Sequence, residues 1–242
     1  MSTPTETAFI AATDTAVKVP AVATPSTPSL NRTVVLVLDF GSQYTQLIAR
    51  RVRELGVYSV SLPAGVPLVQ IQALHPTIVI LSGGPESVHE EGSPTVPAGF
   101  FEWTKGNKVT VLGICYGMHI IVQLLGGKVK SAEAQEYGRM KIQVVPGGGT
   151  LYGDKVEMEQ VVWMSHGDEA VELPSGFEIV ARSEQGAIVA VENVADKIYG
   201  LQYHPEVHDR SVRTTLYKEA HIIFLPSSNR HKSSRGTNNF FC

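Results

Sequence analysis

Cysteine is scarce in this sequence of 242 residues, which holds only Cys115, near the middle, and Cys242, at the end. Two cysteines so far apart do not form the disulfide framework of a small secreted domain. The sequence also lacks any apolar run of the roughly 18 residues that a membrane span requires. We therefore expect a protein of a reducing compartment, with the cytoplasm as the default, and no membrane segment.

Charge of one sign is not in excess either, because the formal net charge is only −3. This balance gives no reason to propose nucleic acid or a membrane surface as a partner. Residues 1–32 lack helical or strand periodicity and are rich in Ser, Thr, Pro and Ala, which predicts a disordered extension. Residues 208–242 also lack a core-forming pattern, so we predict one folded domain over 33–207 and an irregular, disordered tail after it.

The central part of the chain alternates between strand and helix patterns. We predict strands at 33–38, 58–62, 77–81 and 109–114, each followed by a helix, at 44–55, 67–74, 97–105 and 118–125. This order is typical of an α/β fold with an open, mainly parallel sheet flanked by helices. After residue 127 the pattern changes, and we expect a small, mostly antiparallel β addition made of short strands at 139–145, 161–164, 179–183, 187–192 and 198–203.

The loops after Leu38, Leu81 and Ile114 follow parallel strands, so we expect them at one edge of the sheet. The third loop reads Gly-Ile-Cys-Tyr-Gly and places Cys115 between a strand and a helix, which is the pattern of a nucleophile elbow. A helix N-terminus favours a thiolate over a thiol. The alternative interpretation is that Cys115 is a small buried residue with no chemical role.

A cysteine nucleophile needs a base, and His204 is the best candidate because it ends the strand predicted at 198–203. Residues i and i+2 of an extended chain face the same way, so Glu206 can orient the imidazole. Outside such a context, a His-x-Glu at a strand end is more often a surface feature. The Ser-Gly-Gly-Pro stretch that begins at Ser82 is either an approach of the backbone to a substrate or a plain turn. It is not a phosphate loop, because no Lys-Ser/Thr follows it.

Seven separated motifs occur in an order that resembles the class I glutamine amidotransferases, over residues 34–207. They are LDFGSQYTQLIARRVRELGVYS, LSGGPESV, LGICYGM, LLGGKV, EYGR, VWMSHGDE and YGLQYHPEV. The resemblance implies a flavodoxin-like fold and hydrolysis of glutamine to glutamate and ammonia. It implies a triad of Cys115, His204 and Glu206, an oxyanion hole formed by the backbone N–H groups of Gly84 and Tyr116, and a glutamine pocket lined by Ser165, His166, Gly167 and Asp168.

The chain departs from the family at three places. His119 stands where the family has a glutamine that contacts the substrate, and His208 begins a stretch unlike the family's closing helix. No second Ser-Gly-Gly followed by Val-Asp-Ser is present, so we expect no cofactor and no metal in this chain. ATP and magnesium would serve only a separate ATP-pyrophosphatase (synthetase) domain or subunit that accepts the ammonia. Two alternatives stay open: a truncated or inactive fragment, and another elbow-type cysteine hydrolase such as a γ-glutamyl peptidase.

Overall fold

A computed structural model describes residues 33–146, 149–153 and 157–207, with residues 133 and 134 described by their backbone alone. The predicted extensions 1–32 and 208–242 lie outside the described residues, so their predicted disorder stays a prediction. No helix in the described ranges is long and apolar enough to cross a membrane.

The described strands form one sheet in the order β2-β1-β3-β4-β9-β8-β7-β5-β6. Its strands are β1 Val34–Asp39, β2 Tyr58–Pro63, β3 Ile78–Leu81, β4 Thr110–Ile114, β5 Lys128–Val144, β6 Glu159–Glu172, β7 Glu178–Ser183, β8 Ile188–Asn193 and β9 Ile198–Leu201. The helices are α1 Thr45–Glu54, α2 Leu68–Ala73, α3 Phe100–Gly106, α4 Tyr116–Leu124 and α5 Gly149–Tyr152.

The five strands β2, β1, β3, β4 and β9 run parallel to their neighbours. The central strands of this half are apolar on both faces because packed layers cover both. In β1, for example, Val35 and Val37 belong to one core cluster, while Leu36 and Leu38 belong to another. This two-sided burial fixes the carboxyl ends of the strands, where the candidate site lies. The predicted α/β fold with a mainly parallel sheet and an antiparallel addition is confirmed.

Strand β9 corrects one expectation, since the sequence grouped residues 198–203 with the antiparallel addition. It pairs in parallel with β4, with Val111 opposite Ile198, and antiparallel with β8. Its short apolar stretch fits either direction, and only the position of β9 between β4 and β8 decides the pairing. As a consequence, the chain that follows β9 leaves the sheet beside the turn that follows β4.

Two strands are longer than predicted, because β5 begins at Lys128 and not at residue 139, and β6 extends to Glu172 and not to residue 164. Their outer parts carry many polar side chains, so local hydrophobicity does not reveal them. They are held by pairing with each other over most of their length, with register shifts near Lys128 and after Ser131. Helix α5 was not predicted either. Its first N–H groups are satisfied from outside the helix, by the carboxylate of Glu192.

Candidate active site

The turn between β4 and α4 holds Cys115 at the first position after the strand. Its backbone has φ 51° and ψ −108°, an unusual conformation for a residue with a side chain. A Cβ added to Gly113 would lie 2.5 Å from the carbonyl oxygen of Gly117, and one added to Gly117 would lie 2.3 Å from that of Leu81. Glycine is therefore required at both flanking positions. The predicted strand–turn–helix arrangement is present, with Cys115 at the corner.

His204 lies beside this corner because β9 is the parallel neighbour of β4. Its Nδ1 is 2.8 Å from Oε1 of Glu206, and both side chains are buried. The backbone N–H of His204 donates to the carbonyl of Trp163 in β6 at 2.9 Å, and the ring of Tyr44 packs edge-on against the imidazole. The imidazole is thus held in one orientation by three separate parts of the chain.

The environment of His204 favours its protonated form. Burial alone lowers the pKa of the imidazole, but hydrogen bonds to Cys115 and Glu206, together with their negative charges, raise it to about 10. The carboxylate of Glu206 and the sulfur of Cys115 both stabilise the imidazolium cation. The structure therefore places His204 beside Cys115, at a cavity that both residues line, and pairs it with Glu206; their role as a triad stays a prediction.

Gly84 and Tyr116, the predicted oxyanion-hole residues, both line a cavity that Cys115 also lines. In the described part of the chain, neither N–H group donates a hydrogen bond. A Cβ on Gly84 would lie 2.6 Å from the carbonyl oxygen of Phe40, so this loop needs glycine to fit against the loop after β1. The two loops are tied together by the Phe40 N–H, which donates to Oγ of Ser82 at 3.0 Å. Free N–H groups near a nucleophile are what an oxyanion requires.

A cavity of about 330 Å³ opens on one side of Cys115. At the wall of this cavity, Asp168 on β6 connects to the loop after β3 and to β5. Its carboxylate accepts hydrogen bonds from Oγ of Ser87 at 2.6 Å and Oγ of Ser131 at 3.2 Å. The sequence did not single out the carboxylates of Glu86 and Glu90, which also line this cavity. The predicted site residues that line it are Gly84, Cys115, Tyr116, His119, Ser165, His166, Gly167 and Asp168.

His119 lies at the wall of this cavity but is only 3% exposed. Its Nε2 is 2.7 Å from Oε1 of Gln202. Burial lowers the pKa of His119 to about 4, against a smaller opposing effect of the Gln202 hydrogen bond, so the imidazole is neutral at pH 7. The predicted contact of His119 with the substrate stays a prediction.

Two buried polar residues near the site were missed by the sequence reasoning. Gln202 is two residues before His204, so the i, i+2 rule that linked His204 to Glu206 would also have found it. Glu136 pairs with His166, whose Nε2 is 3.1 Å away. No local signal identifies that pair, because the two residues come from different strands.

A second cavity, of about 370 Å³, lies on the His204 side of Cys115. It is lined by Ser42, Gln43 and Tyr44 from the loop after β1, and it shares Cys115 with the first cavity. The thiol group thus stands between two openings. No group of three or more His, Cys, Asp or Glu side chains within the described ranges is placed to hold a metal ion, and the predicted absence of a metal stays a prediction.

Comparison with known proteins agrees with this geometry. The sequence profile of the family described as "Glutamine amidotransferase class-I" matches residues 36–223. The chain belongs to the class I glutamine amidotransferases. Among solved structures of similar fold, a putative GMP synthase subunit from Thermoplasma acidophilum is 27% identical, with a TM-score of 0.69 over 85% of this chain and 99% of that one. A glutamine amidotransferase from Thermotoga maritima is 21% identical, with a TM-score of 0.58 over 85% and 87%, and shares the fold.

Among curated relatives, this amidotransferase is similar to two proteins named GMP synthase [glutamine-hydrolyzing]. The one from Streptomyces coelicolor is 46% identical over 188 residues, which are 78% of this chain and 34% of that protein. The one from Aquifex aeolicus is 47% identical over 178 residues, which are 74% and 34% of the two chains. The chain spans about a third of the length of these relatives, so it corresponds to their amidotransferase region.

Proposed function

We propose that the protein hydrolyses glutamine to glutamate and ammonia through a Cys115–His204–Glu206 triad. The observation that carries this proposal is the position of His204, which hydrogen-bonds to Glu206 through Nδ1 and lines the same cavity as Cys115. An imidazole that bridges a carboxylate and a thiol can take a proton from sulfur and return it to a leaving group. Cys115 stands at a helix N-terminus, which supports the same charge separation.

In the first half of the reaction, the thiolate of Cys115 attacks the carbon of the side-chain amide of glutamine. The oxygen that becomes negative is stabilised by the backbone N–H groups of Gly84 and Tyr116, which have no partner among the described residues. His204 then protonates the amide nitrogen as the carbon–nitrogen bond breaks. The products of this half-reaction are ammonia and a γ-glutamyl thioester on Cys115.

In the second half, His204 takes a proton from water, whose oxygen attacks the thioester carbon. The carbon–sulfur bond breaks, and glutamate is released with the thiolate restored. The second cavity is lined by His204, so water can enter and ammonia can leave through it. The acyl group would remain in the first cavity, on the other side of the sulfur.

The first cavity suits the charged end of glutamine. Asp168, Glu86 and Glu90 line it, and a hydrogen bond with Glu86 raises the pKa of Glu90, which reflects closely spaced carboxylates. Such a wall favours the α-ammonium group of an amino acid. We assign Ser165, His166, Gly167 and Asp168 to substrate binding, and we place His119 in the wall behind the substrate.

We further propose that the ammonia serves the conversion of XMP to GMP in purine synthesis. The names of the relatives support this role, as does the identity of 46–47% within the matched region. The conversion needs ATP and magnesium to activate the purine carbonyl, and we assign that step to a synthetase domain or a separate synthetase protein. An amidotransferase region alone would produce ammonia without GMP.

The test is to incubate the purified chain with glutamine, ATP, magnesium and XMP, and to follow glutamate and GMP together. We expect glutamate without GMP, and GMP only after a synthetase domain is added. Cys115→Ala, the control, should release no glutamate and should not react with a glutamine-like chloroketone. GMP from the chain alone would contradict the assignment of GMP formation to a separate synthetase domain or protein. The absence of both products would favour an inactive fragment. Faster hydrolysis of γ-glutamyl peptides than of glutamine would favour a peptidase.

A further inference from the structure

Gln202 is a fully buried polar side chain that contacts the sulfur of Cys115. It follows β9 directly, and its backbone N–H is used in a hydrogen bond to the carbonyl of Val189 at 2.9 Å. Its side-chain Nε2 lies 3.9 Å from Sγ of Cys115, while its Oε1 lies 2.7 Å from Nε2 of His119. The amide of Gln202 therefore connects a buried histidine to the reacting atom.

Besides His204, two groups contact the sulfur, and they prefer opposite states of Cys115. The carbonyl oxygen of Ser165, 3.6 Å from Sγ, can only accept a hydrogen bond, so it favours the thiol. The NH₂ group of Gln202 can only donate, so it favours the thiolate. When the proton moves from sulfur to His204, the interaction with Ser165 is lost and the one with Gln202 becomes stronger.

The hydrogen bond between His119 and Gln202 couples the tautomer of His119 to the orientation of the amide. A neutral imidazole that carries its proton on Nε2 donates to Oε1 of Gln202, and this directs the NH₂ group towards Cys115. In the opposite arrangement, Oε1 of Gln202 would face a thiolate, and two negatively polarised atoms would repel each other. Burial lowers the pKa of His119 to about 4, which keeps the imidazole neutral at the pH of catalysis. The backbone of His119 is held in the first turn of α4, where its N–H donates to the carbonyl of Cys115 at 3.2 Å.

We propose that Gln202 is a catalytic residue that stabilises the thiolate of Cys115, and that His119 is a positioning residue that holds the amide of Gln202 in the productive orientation. This gives the histidine at position 119 a role towards the nucleophile instead of towards the substrate. The inference takes from the proposed function only the assignment of Cys115 as the nucleophile.

Other titratable groups lie around the site. His204 and Glu206 follow β9, while His166 and Asp168 on β6 and Glu86 and Glu90 after β3 line the first cavity together with Cys115. All of them are retained in every variant described below. Their effects therefore cancel when a variant is compared with the parent protein.

The experiment measures the rate of alkylation of Cys115 by iodoacetamide as a function of pH, in a Cys242→Ser background that leaves one cysteine. Gln202→Met keeps the size of the side chain and removes the donor. We expect the midpoint of the alkylation profile to move to higher pH by about one unit, the size expected for a hydrogen bond to a charged group. Gln202→Glu, which places a carboxylate beside the sulfur, should move it further in the same direction.

The positioning role is tested at His119. His119→Leu removes the donor to Gln202 and should move the midpoint in the same direction by a smaller amount. His119→Gln restores an N–H donor and should return the midpoint towards the parent value. A merely structural role would not distinguish leucine from glutamine in this way.

Gln160→Met is the matched control, since Gln160 is another buried glutamine, on β6, that has no contact with Cys115 in the structure. It should leave the midpoint unchanged. An unchanged midpoint in folded Gln202→Met would overturn the role of Gln202. If that variant does not fold, equal midpoints for His119→Leu and the parent protein would overturn the proposal instead. Alkylation needs no glutamine, so a protein that fails to hydrolyse glutamine still gives a decisive result here.

Discussion

Two buried histidine–carboxylate pairs flank the nucleophile, and only one of them faces the sulfur. His204 bonds to Glu206 at 2.8 Å through Nδ1, and His166 bonds to Glu136 at 3.1 Å through Nε2. In both pairs, the second carboxylate oxygen is buried and has no hydrogen-bond partner among the described residues. The two pairs are therefore nearly equivalent when each is considered in isolation.

The pairs differ in what the other ring nitrogen contacts. In His204, Nε2 is left free by the bond from Nδ1 to Glu206, and the imidazole lines a cavity with Cys115, whose thiol can give up or receive a proton. In His166 it is Nδ1, which donates to the carbonyl oxygen of Asp168 at 2.9 Å. A backbone carbonyl cannot exchange a proton, so the second pair is closed to proton transfer and fixes the shape of the Ser165–Asp168 segment instead. The group that the second ring nitrogen contacts thus determines whether a histidine–carboxylate pair can transfer a proton or only stabilises the wall of the cavity.

Removing the imidazole of His204, the histidine that can exchange a proton with Cys115, should lower activity most. His204→Ala should lower glutamine turnover by about 10³-fold, within the range for a positioned acid–base group. Steady-state release of glutamate measures this, and His89→Ala, which removes an exposed histidine, is the control. A loss of less than tenfold in His204→Ala would mean that His204 does not transfer the proton.

Replacing the carboxylate of each pair by an amide, at Glu206 and at Glu136, compares the two pairs directly. Glu206→Gln should lower turnover by about 10²-fold, less than His204→Ala, because the imidazole is still present but poorly oriented. Glu136→Gln should lower the free energy of unfolding by about 2 kcal/mol, since it weakens a buried hydrogen-bonded pair, and should change turnover less than tenfold. Turnover and urea unfolding of both variants are the measurements. Equal losses of turnover would remove the distinction between the pairs.

The protonation of His204 provides a direct spectroscopic test. Its pKa is raised to about 10, so NMR should show a charged imidazole throughout the range of pH 7 to 8. Both Cys115→Ala and Glu206→Gln should lower this pKa, because each removes a negative partner. An imidazole that titrates near pH 6.5 in the unmodified protein would contradict the charge-separated site.

The smallest effect concerns His119, a buried histidine without a carboxylate. Its pKa is lowered to about 4 in the folded protein, whereas the unfolded chain binds the proton near the ordinary value of about 6.5. The unfolded state therefore binds more protons between these values, and stability is lost as the pH falls from about 6.5 towards 4. Unfolding by urea at several pH values should show a weaker acid dependence in His119→Leu than in the parent. His75→Asn, which replaces an exposed histidine after α2, should retain the parent's dependence.

Much of the site follows from local sequence. The glycines around Cys115 indicate a close strand–helix approach, and the spacing of His204 and Glu206 places both on one side of an extended chain. The structure shows both features. By contrast, the pair of His166 and Glu136 joins two strands whose register is irregular, with shifts between Ser131 and Glu136. A bulge moves side chains from one face to the other, so sequence alternation does not give their partners.

Local sequence patterns were enough to predict the α/β alternation, the elbow around Cys115, and the placement of His204 and Glu206 on one side of the chain. Each depends on neighbours a few positions apart, where backbone geometry alone sets the direction of a side chain. The parallel pairing of β9 with β4 depends instead on tertiary packing, and it brings His204 and Gln202 to Cys115 from about 90 residues away. The apolar residues of β9 are compatible with either strand direction. The choice depends on the burial of the whole sheet, which local sequence does not encode.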